Sequence, residues 1–322
     1  AKYNESEHAK KVAEYLGTNH REFILTKDDA LSELESIMDN FDEPFADSSA
    51  LPTMLVSKMA KQHVTVCLSG DGGDELFMGY GAYNWASRLS KPLFWNLRKP
   101  ISKALSYSNN QRKRAGLVFN SPKINWKSHI FSQEQYFFSE LEIDDLLLKP
   151  NSNSIINDIN THKAGRELSK IEQQSFFDLN NYLKDDLLVK VDRSSMYSSL
   201  EARVPLLDHN IVEFALNVDE NLKIKNGVQK HLLKELLYDY IPQSIMDRPK
   251  WGFSIPLESW LKNELSYLID KYLNDEVIRE IGLLNPIFLR NLISDFKKGE
   301  LYLYNRIWAL IILNKFLLKN QE

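Results

Sequence analysis

The sequence holds a single cysteine, Cys67, in 322 residues. That excludes an internal disulfide and any metal site built from several thiolates, and it makes a reducing, cytoplasmic setting the expectation. Glycine and proline are also scarce, with 12 and 11 residues, about 7% of the chain against a usual ~12%. Few turns and much helix follow. The seven histidines show no HxxH or HExxH spacing, which argues against zinc. No repeat period and no low-complexity tract occurs. Neither sign of charge dominates: the formal balance of −4 offers no general attraction to nucleic acid or to a membrane. Clean membrane-spanning runs are missing too, because the most apolar window, Leu301 to Leu318, contains Asn305, Arg306, Asn314 and Lys315. It reads as a buried C-terminal helix.

Acidic residues are locally absent. From Leu76 to Gln133 there is no Asp or Glu, while Arg88, Lys91, Arg98, Lys99, Lys103, Arg112, Lys113, Arg114, Lys123 and Lys127 supply positive charge. A phosphate-rich or lipid partner is the sharper reading of that run. The plainer one, preferred, is a solvated helical surface balanced by Glu140, Glu142, Asp144 and Asp145. The first residues, Ala1-Lys2-Tyr3-Asn4-Glu5, carry neither an initiator methionine nor an apolar leader, and read as a start within a longer chain.

What is present has the composition of a globular protein, with 43% hydrophobic and 26% charged residues. Val12, Ala13, Tyr15 and Leu16 recur at helical spacing before Gly17, a left-handed stop. His20 to Leu25 reads as a strand. Asp28 and Asp29 open a helix whose apolar face is Leu31, Leu34, Ile37, Met38 and Phe41. A further helix, about Leu51 to Lys61, leads into His63 to Leu68, a β-branched run with no polar alternation, expected to be buried on both faces of a parallel sheet. Beyond about Tyr80 the spacing is mostly helical. The expected organisation is an α/β portion over 1–80 and a mainly helical portion over 81–322 that completes the site around 190–253.

The chemistry concentrates in Ser69-Gly70-Asp71-Gly72-Gly73-Asp74-Glu75-Leu76-Phe77, directly after that strand. Ligands of α/β sheets bind at the carboxyl ends of the strands. The glycines let a ligand approach the backbone, and backbone N–H groups favour phosphate. Three carboxylates in five positions oppose phosphate unless a divalent cation lies between, so the turn points to Mg2+ shared by an acid and phosphate oxygens. A tight turn with acids that cap the following helix is the structural alternative.

The same segment resembles the second nucleotide-site motif of the synthetase domain of glutamine-dependent asparagine synthetases, relatives of the β-lactam synthetases. It is accompanied, in the family's order, by Phe41-Asp42-Glu43-Pro44-Phe45-Ala46-Asp47-Ser48-Ser49, Val191 to Met196, Leu200 to Asp208, Gln229-Lys230, and Arg248-Pro249-Lys250-Trp251-Gly252-Phe253. The resemblance implies an adenine-nucleotide alpha-hydrolase type of fold with a partial parallel sheet, and a two-step ligase. ATP activates the side-chain carboxylate of aspartate as an acyl-adenylate, then ammonia displaces AMP to give asparagine. It further implies that Ser69, Gly70, Gly72, Gly73 and Asp74 contact the nucleotide, with Asp74 the Mg2+ ligand. Lys230 and Lys250 would meet the phosphates, and Asp71, where many members carry glutamate, would take a proton from ammonia. A lysine on the surface is the alternative for both cations.

For Glu201 and Arg203 a buried ion pair is expected, for Asp208 a cap on the helix near His209, and for Ser48 and Ser49 either a site-lining loop or a helix cap. Whether Asp192 and Arg193 lie near the nucleotide is left undecided by the sequence. The family's N-terminal cysteine nucleophile and its Ser-Gly-Gly-x-Asp-Ser pyrophosphate loop are not in this sequence, so ammonia from a glutaminase domain outside this chain is implied, and the chain by itself is expected to be inactive. A related amidation of a sugar acid or a ring closure, favoured by Met78 where many members have glycine, and a non-catalytic interaction module are the competing readings. A homo-oligomer is left open.

Overall fold

The β-branched run condenses into a very short strand, β1 (Val66–Leu68), which pairs in parallel with β2 (Glu201–Arg203). Val66 lies opposite Glu201, Cys67 opposite Ala202 and Leu68 opposite Arg203. The computed structural model describes residues 6–23, 26–108, 110–122, 125–134, 138–149, 165–246 and 255–320, and this is the sheet among them. Apart from two isolated β-bridges, the remaining regular structure among the described residues is helical, as the scarcity of turn residues implies. The chain divides into two compact units, one of Ala1–Phe41, Asp47–Tyr80 and Tyr182–Ile255, the other of Asp42–Ala46, Gly81–Asn181 and Pro256–Glu322.

In the first unit, helices Ala50–Ala60 and Leu188–Met196 each precede a strand and pack on one another. A helix that feeds a parallel strand runs back along the sheet, so its N-terminus lies at the strand's carboxyl edge. Both helix starts therefore share the edge from which Ser69 to Asp74 emerges. Helix Ser6–Leu16 ends at Gly17, whose φ of +64° is the left-handed stop the sequence announces. Helix Lys27–Asp39 begins with a capping box between Thr26 and Asp29, a reciprocal pair of bonds that satisfies two orphan amides.

The second unit is a helical assembly. Helix Gly81–Ser90 packs on Lys170–Asp178 and Trp126–Glu134, with Tyr83 and Ile130 fully buried. The rings of Phe131 and Phe177 pack edge to face with their centroids 5.6 Å apart. Helices Pro92–Ser106 and Asn110–Phe119 lie so close that a Cβ on Gly116 would sit 3.0 Å from the Leu105 Cβ. The apolar C-terminal stretch is long enough to cross a bilayer, and here helix Tyr304–Lys319 packs against Leu257–Lys262 and Ser266–Tyr272 with Ile307, Trp308, Ile311 and Ile312 buried. Its Asn314 donates to the Tyr272 carbonyl at 2.8 Å.

Three expectations need correction. His20 to Phe23 form no strand and are exposed, and Ile24 and Leu25 lie outside the described residues. β1 is not buried on both faces: Val66 is 39% and Leu68 73% exposed, because a two-stranded sheet covers little of either face. Cys67 is correspondingly half-buried, and burial pushes its thiol up, away from the reactive thiolate. The Glu201–Arg203 pair exists at 2.8 Å but is solvent-exposed, since both side chains stand on one outer face of β2. The basic run draws at least one counter-charge from outside the Glu140 to Asp145 cluster. Lys113 pairs with Glu300, Arg98 bonds the Trp95 and Ser121 carbonyls and stacks on the Trp95 ring, and Glu142 is taken by Arg306.

Candidate active site

The turn after β1 is built by backbone rules. Ser69 N–H donates to the Arg203 carbonyl at 2.8 Å, which carries the ladder one residue beyond the strand. Gly72 then turns at φ +84°, where a Cβ would meet Leu207 Cδ2 at 2.3 Å. Only glycine fits there. A single helical turn, Gly73–Leu76, follows and closes with Gly79 N–H donating to the Asp74 carbonyl at 2.7 Å. Between them Met78 occupies the left-handed region at φ +59° with its side chain fully buried. That explains why glycine suits this position and what this chain puts in its place: a thioether whose burial offsets the backbone strain.

Gly79 faces the carboxylate of Asp74. A Cβ at Gly79 would fall 1.8 Å from Asp74 Oδ1 and 3.0 Å from Lys230 Cδ. Lys230 Nζ in turn stands 3.0 Å from Asp74 Oδ1, both side chains about a quarter to a third exposed. Lys230 is the residue before helix His231–Tyr238 and is itself left-handed at φ +53°. Beside it, Gln229 Nε2 donates to the Tyr80 carbonyl at 2.5 Å. Tyr80 Oη donates to Glu75 Oε1 at 2.6 Å, and its ring meets Tyr182 edge-on at 5.7 Å. Glu75 is 1% exposed; burial pushes its carboxyl up, while the Tyr80 hydroxyl pulls it down by less. Burial and the nearby Glu75 push the Tyr80 phenol far up, so it stays a donor.

Asp71 accepts from Ser69 Oγ, and Gly70 is open, with no atom within 4 Å of where a Cβ would be. Asp71, Asp74 and Lys230 thus share one edge with the glycines. Lys250, with Arg248 to Phe253, lies outside the described residues. Asp208 caps its helix as expected, accepting from Asn210 N–H at 2.9 Å, whereas Asp192 and Arg193 are exposed. Ser49 makes no cap. Its hydroxyl bonds Asp47 and accepts from Lys190 Nζ at 2.9 Å, and Lys190 also pairs with Asp47 at 2.9 Å.

Reading by motif missed three parts of this edge. Glu75 was visible only as one of three acids, and its buried bond to Tyr80 had no sequence signal. Tyr182 arrives on a π-helical stretch, Leu179–Leu187, which no periodicity announces, though such stretches recur at functional sites. Lys190, a charge inside an apolar run, was the one legible hint of the Asp47 pair. Asp186 joins that pair: burial, together with the Asp47 charge, pushes its carboxyl up against the opposing pull of Lys190.

A glycine-walled turn lies at the carboxyl edge of a parallel pair, with a carboxylate and a lysine facing each other beside an open backbone, the edge at which α/β sheets generally take their ligands. The family described as Asparagine synthase matches residues 1–318, and the chain belongs to that family. Asparagine synthetase (glutamine-hydrolyzing) 1 of Bacillus subtilis (strain 168) is 29% identical over 322 residues, 96% of this chain and 49% of that protein. Asparagine synthetase (glutamine-hydrolyzing) 3 of the same organism is 24% identical over 74% of this chain and 34% of its own length. The Homo sapiens asparagine synthetase (glutamine-hydrolyzing) is 36% identical over 119 residues, 36% of this chain and 21% of that protein. The chain spans about half the length, or less, of the curated relatives it matches.

Proposed function

We propose that this chain is the synthetase portion of a glutamine-dependent asparagine synthetase, a ligase that adenylates the side-chain carboxylate of aspartate and amidates it with ammonia to give asparagine, AMP and pyrophosphate. The observation that carries the reading is the Asp74–Lys230 pair beside the glycine turn, in a chain matched from residue 1 to 318 by the Asparagine synthase family. The fold type proposed is the adenine-nucleotide alpha-hydrolase sheet. Residues 1–80 and about 190–253 carry the nucleotide, and the remainder of 81–322 is its helical support. The relatives' names favour aspartate over a sugar acid or ring closure, and glutamine as the nitrogen source, through a glutaminase domain that supplies ammonia.

Among the described residues no three His, Cys, Asp or Glu side chains converge. The described residues therefore offer no all-protein cage, but a single carboxylate against which a cation stands, Lys230 Nζ at 3.0 Å from Asp74 Oδ1. That donor set fits Mg2+, which is commonly held by one carboxylate and substrate phosphates. When bound on Asp74, Mg2+ would neutralise charge on the pyrophosphate.

This chain's own groups divide the remaining work. Ser69 and Gly70 border the nucleotide, and Gly72 and Gly73 let the backbone approach it. Lys230 and Lys250 meet the phosphates. In the second step the ammonia nitrogen bonds the acyl carbon, the bond from that carbon to the AMP oxygen breaks, and Asp71, tethered by Ser69 Oγ, accepts the proton.

Pyrophosphate exchange into ATP by the full-length protein, run with aspartate, glutamate and a uronic acid in turn, tests the reading. Exchange that depends on aspartate supports it; exchange with the uronic acid alone overturns the acceptor, and none with any acid overturns the adenylation. Lys250→Ala is expected to slow aspartate-dependent exchange by ~10²–10³-fold, as the loss of one charge contact made in the transition state would.

A further inference from the structure

Asp74 is engaged by a cation of the chain's own. Lys230 Nζ sits 3.0 Å from Oδ1, on the oxygen that Gly79 leaves accessible by having no Cβ. The lysine is not there by drift. Its own backbone is left-handed at φ +53°, a conformation lysine rarely adopts. The residue before it is tied down, Gln229 Nε2 donating to the Tyr80 carbonyl, and Tyr80 is fixed by its hydroxyl on buried Glu75. The lysine stem runs over Gly79, where a Cβ would come within 3.0 Å of Cδ. Two segments about 150 residues apart in sequence, Gly79-Tyr80 and Gln229-Lys230, thus form one clasp that delivers an ammonium to one carboxylate.

We propose that Lys230 is a placeholder cation for the Asp74 seat: it neutralises the carboxylate while the site is empty, must leave that oxygen for a divalent metal to take it, and then turns to the phosphates that arrive with the metal. An ammonium and a divalent cation repel each other strongly at such range, so they cannot share one oxygen. Metal alone therefore binds against Lys230, whereas metal with pyrophosphate binds with its help. The device disfavours metal without its anion and couples the two. This inference rests on the reading of Asp74 as the metal-bearing acid of a nucleotide site.

The test titrates the full-length protein with Mn2+ alone, and with Mn2+ plus inorganic pyrophosphate, counting free Mn2+ by electron paramagnetic resonance. Lys230→Gln should tighten Mn2+ alone by about three- to tenfold, an effect of the size expected for a partly exposed charge, and weaken Mn2+ with pyrophosphate. Lys230→Arg, which keeps the cation, should restore the wild-type order of affinities. Gln229→Ala leaves every charge in place and loosens the clasp, so it should shift Mn2+ alone in the same direction by less. A purely structural lysine would move both titrations the same way. If Asp74→Asn weakens binding but Lys230→Gln and Gln229→Ala leave Mn2+ alone unchanged or weaker, the placeholder role is wrong and the nucleotide reading stands. If Asp74→Asn leaves Mn2+ with pyrophosphate unchanged, the metal seat is wrong and the placeholder falls with it.

Discussion

Gly79 shows how little tolerance the site has at the scale of one atom. A methyl group there would lie 1.8 Å from Asp74 Oδ1, well inside contact distance, and only the acid or the turn could yield. Gly79→Ala should therefore cut aspartate-dependent pyrophosphate exchange by about 10²-fold, the usual consequence of a displacement near 1 Å. Helix content should stay unchanged by circular dichroism; an active Gly79→Ala protein would show that Asp74 is not held where the exchange needs it. Glu75 makes a different prediction. Its raised carboxyl keeps a proton in the fold that the unfolded chain releases, so stability falls as pH climbs from the ordinary carboxylate range to the raised value. Glu75→Gln should remove that fall in urea midpoints measured from pH 4 to 8, and an unaltered slope would contradict the assignment. The turn from Ser69 to Glu75 stands out because glycines and carboxylates crowd it, while the separate roles of Ser69, Asp71 and Asp74 follow only from the family resemblance. The sequence was silent on the Lys230–Asp74 contact, which joins residues 156 positions apart in the chain and depends on tertiary packing.

Elements were legible in proportion to their local signals. Helix Lys27–Asp39 and the Asp208 cap have short-range chemistry, a capping box in one case and an Asx cap in the other; the Asp208 cap formed as read, and the helix starts at the acids expected but stops at Asp39, short of Phe41. β2 had no such signal, because three residues, Glu201–Arg203, carry no alternation to detect and are held by their neighbour. The burial of β1 was misjudged for the complementary reason: a β-branched run signals a strand but not what covers it. Ser49 illustrates competition between roles, its hydroxyl drawn from helix capping to Asp47 and Lys190. Where a cap is intact its loss should be measurable. Ser169 accepts from Glu172 N–H while Glu172 reaches back to Ser169 N–H at 2.8 Å and pairs with Arg166 at 2.6 Å. Ser169→Ala should cost about 1 kcal/mol in denaturant unfolding, and no loss would show that Arg166 alone holds the helix start.

At the scale of the whole molecule, each of the two units has its own pH-sensitive centre. In the helical unit, His129 Nε2 meets the Leu117 carbonyl at 2.5 Å, and burial pushes its imidazole down. A buried neutral histidine must charge on unfolding in acid, so stability is lost as pH falls below the ordinary histidine value near ~6.5. Nearby, burial pushes Glu142 up, but the Arg306 guanidinium at 3.2 Å and the bonds from Ser139 more than offset it and hold the carboxyl low. Its contribution is present above the ordinary carboxylate range and disappears as pH falls through the lowered value. Thermal midpoints should therefore drop in two stages on acidification, and His129→Gln should flatten the upper stage only. Loss of both stages together would show that the two groups act as one. The central claim concerns neither stage but the bond that ATP makes. Aspartate labelled with 18O in its side-chain carboxylate, turned over by the full-length protein with ATP and ammonia, should place one 18O in AMP, detected by mass spectrometry. Unlabelled AMP, or label in inorganic phosphate with ADP as the co-product, would contradict adenylation of the carboxylate.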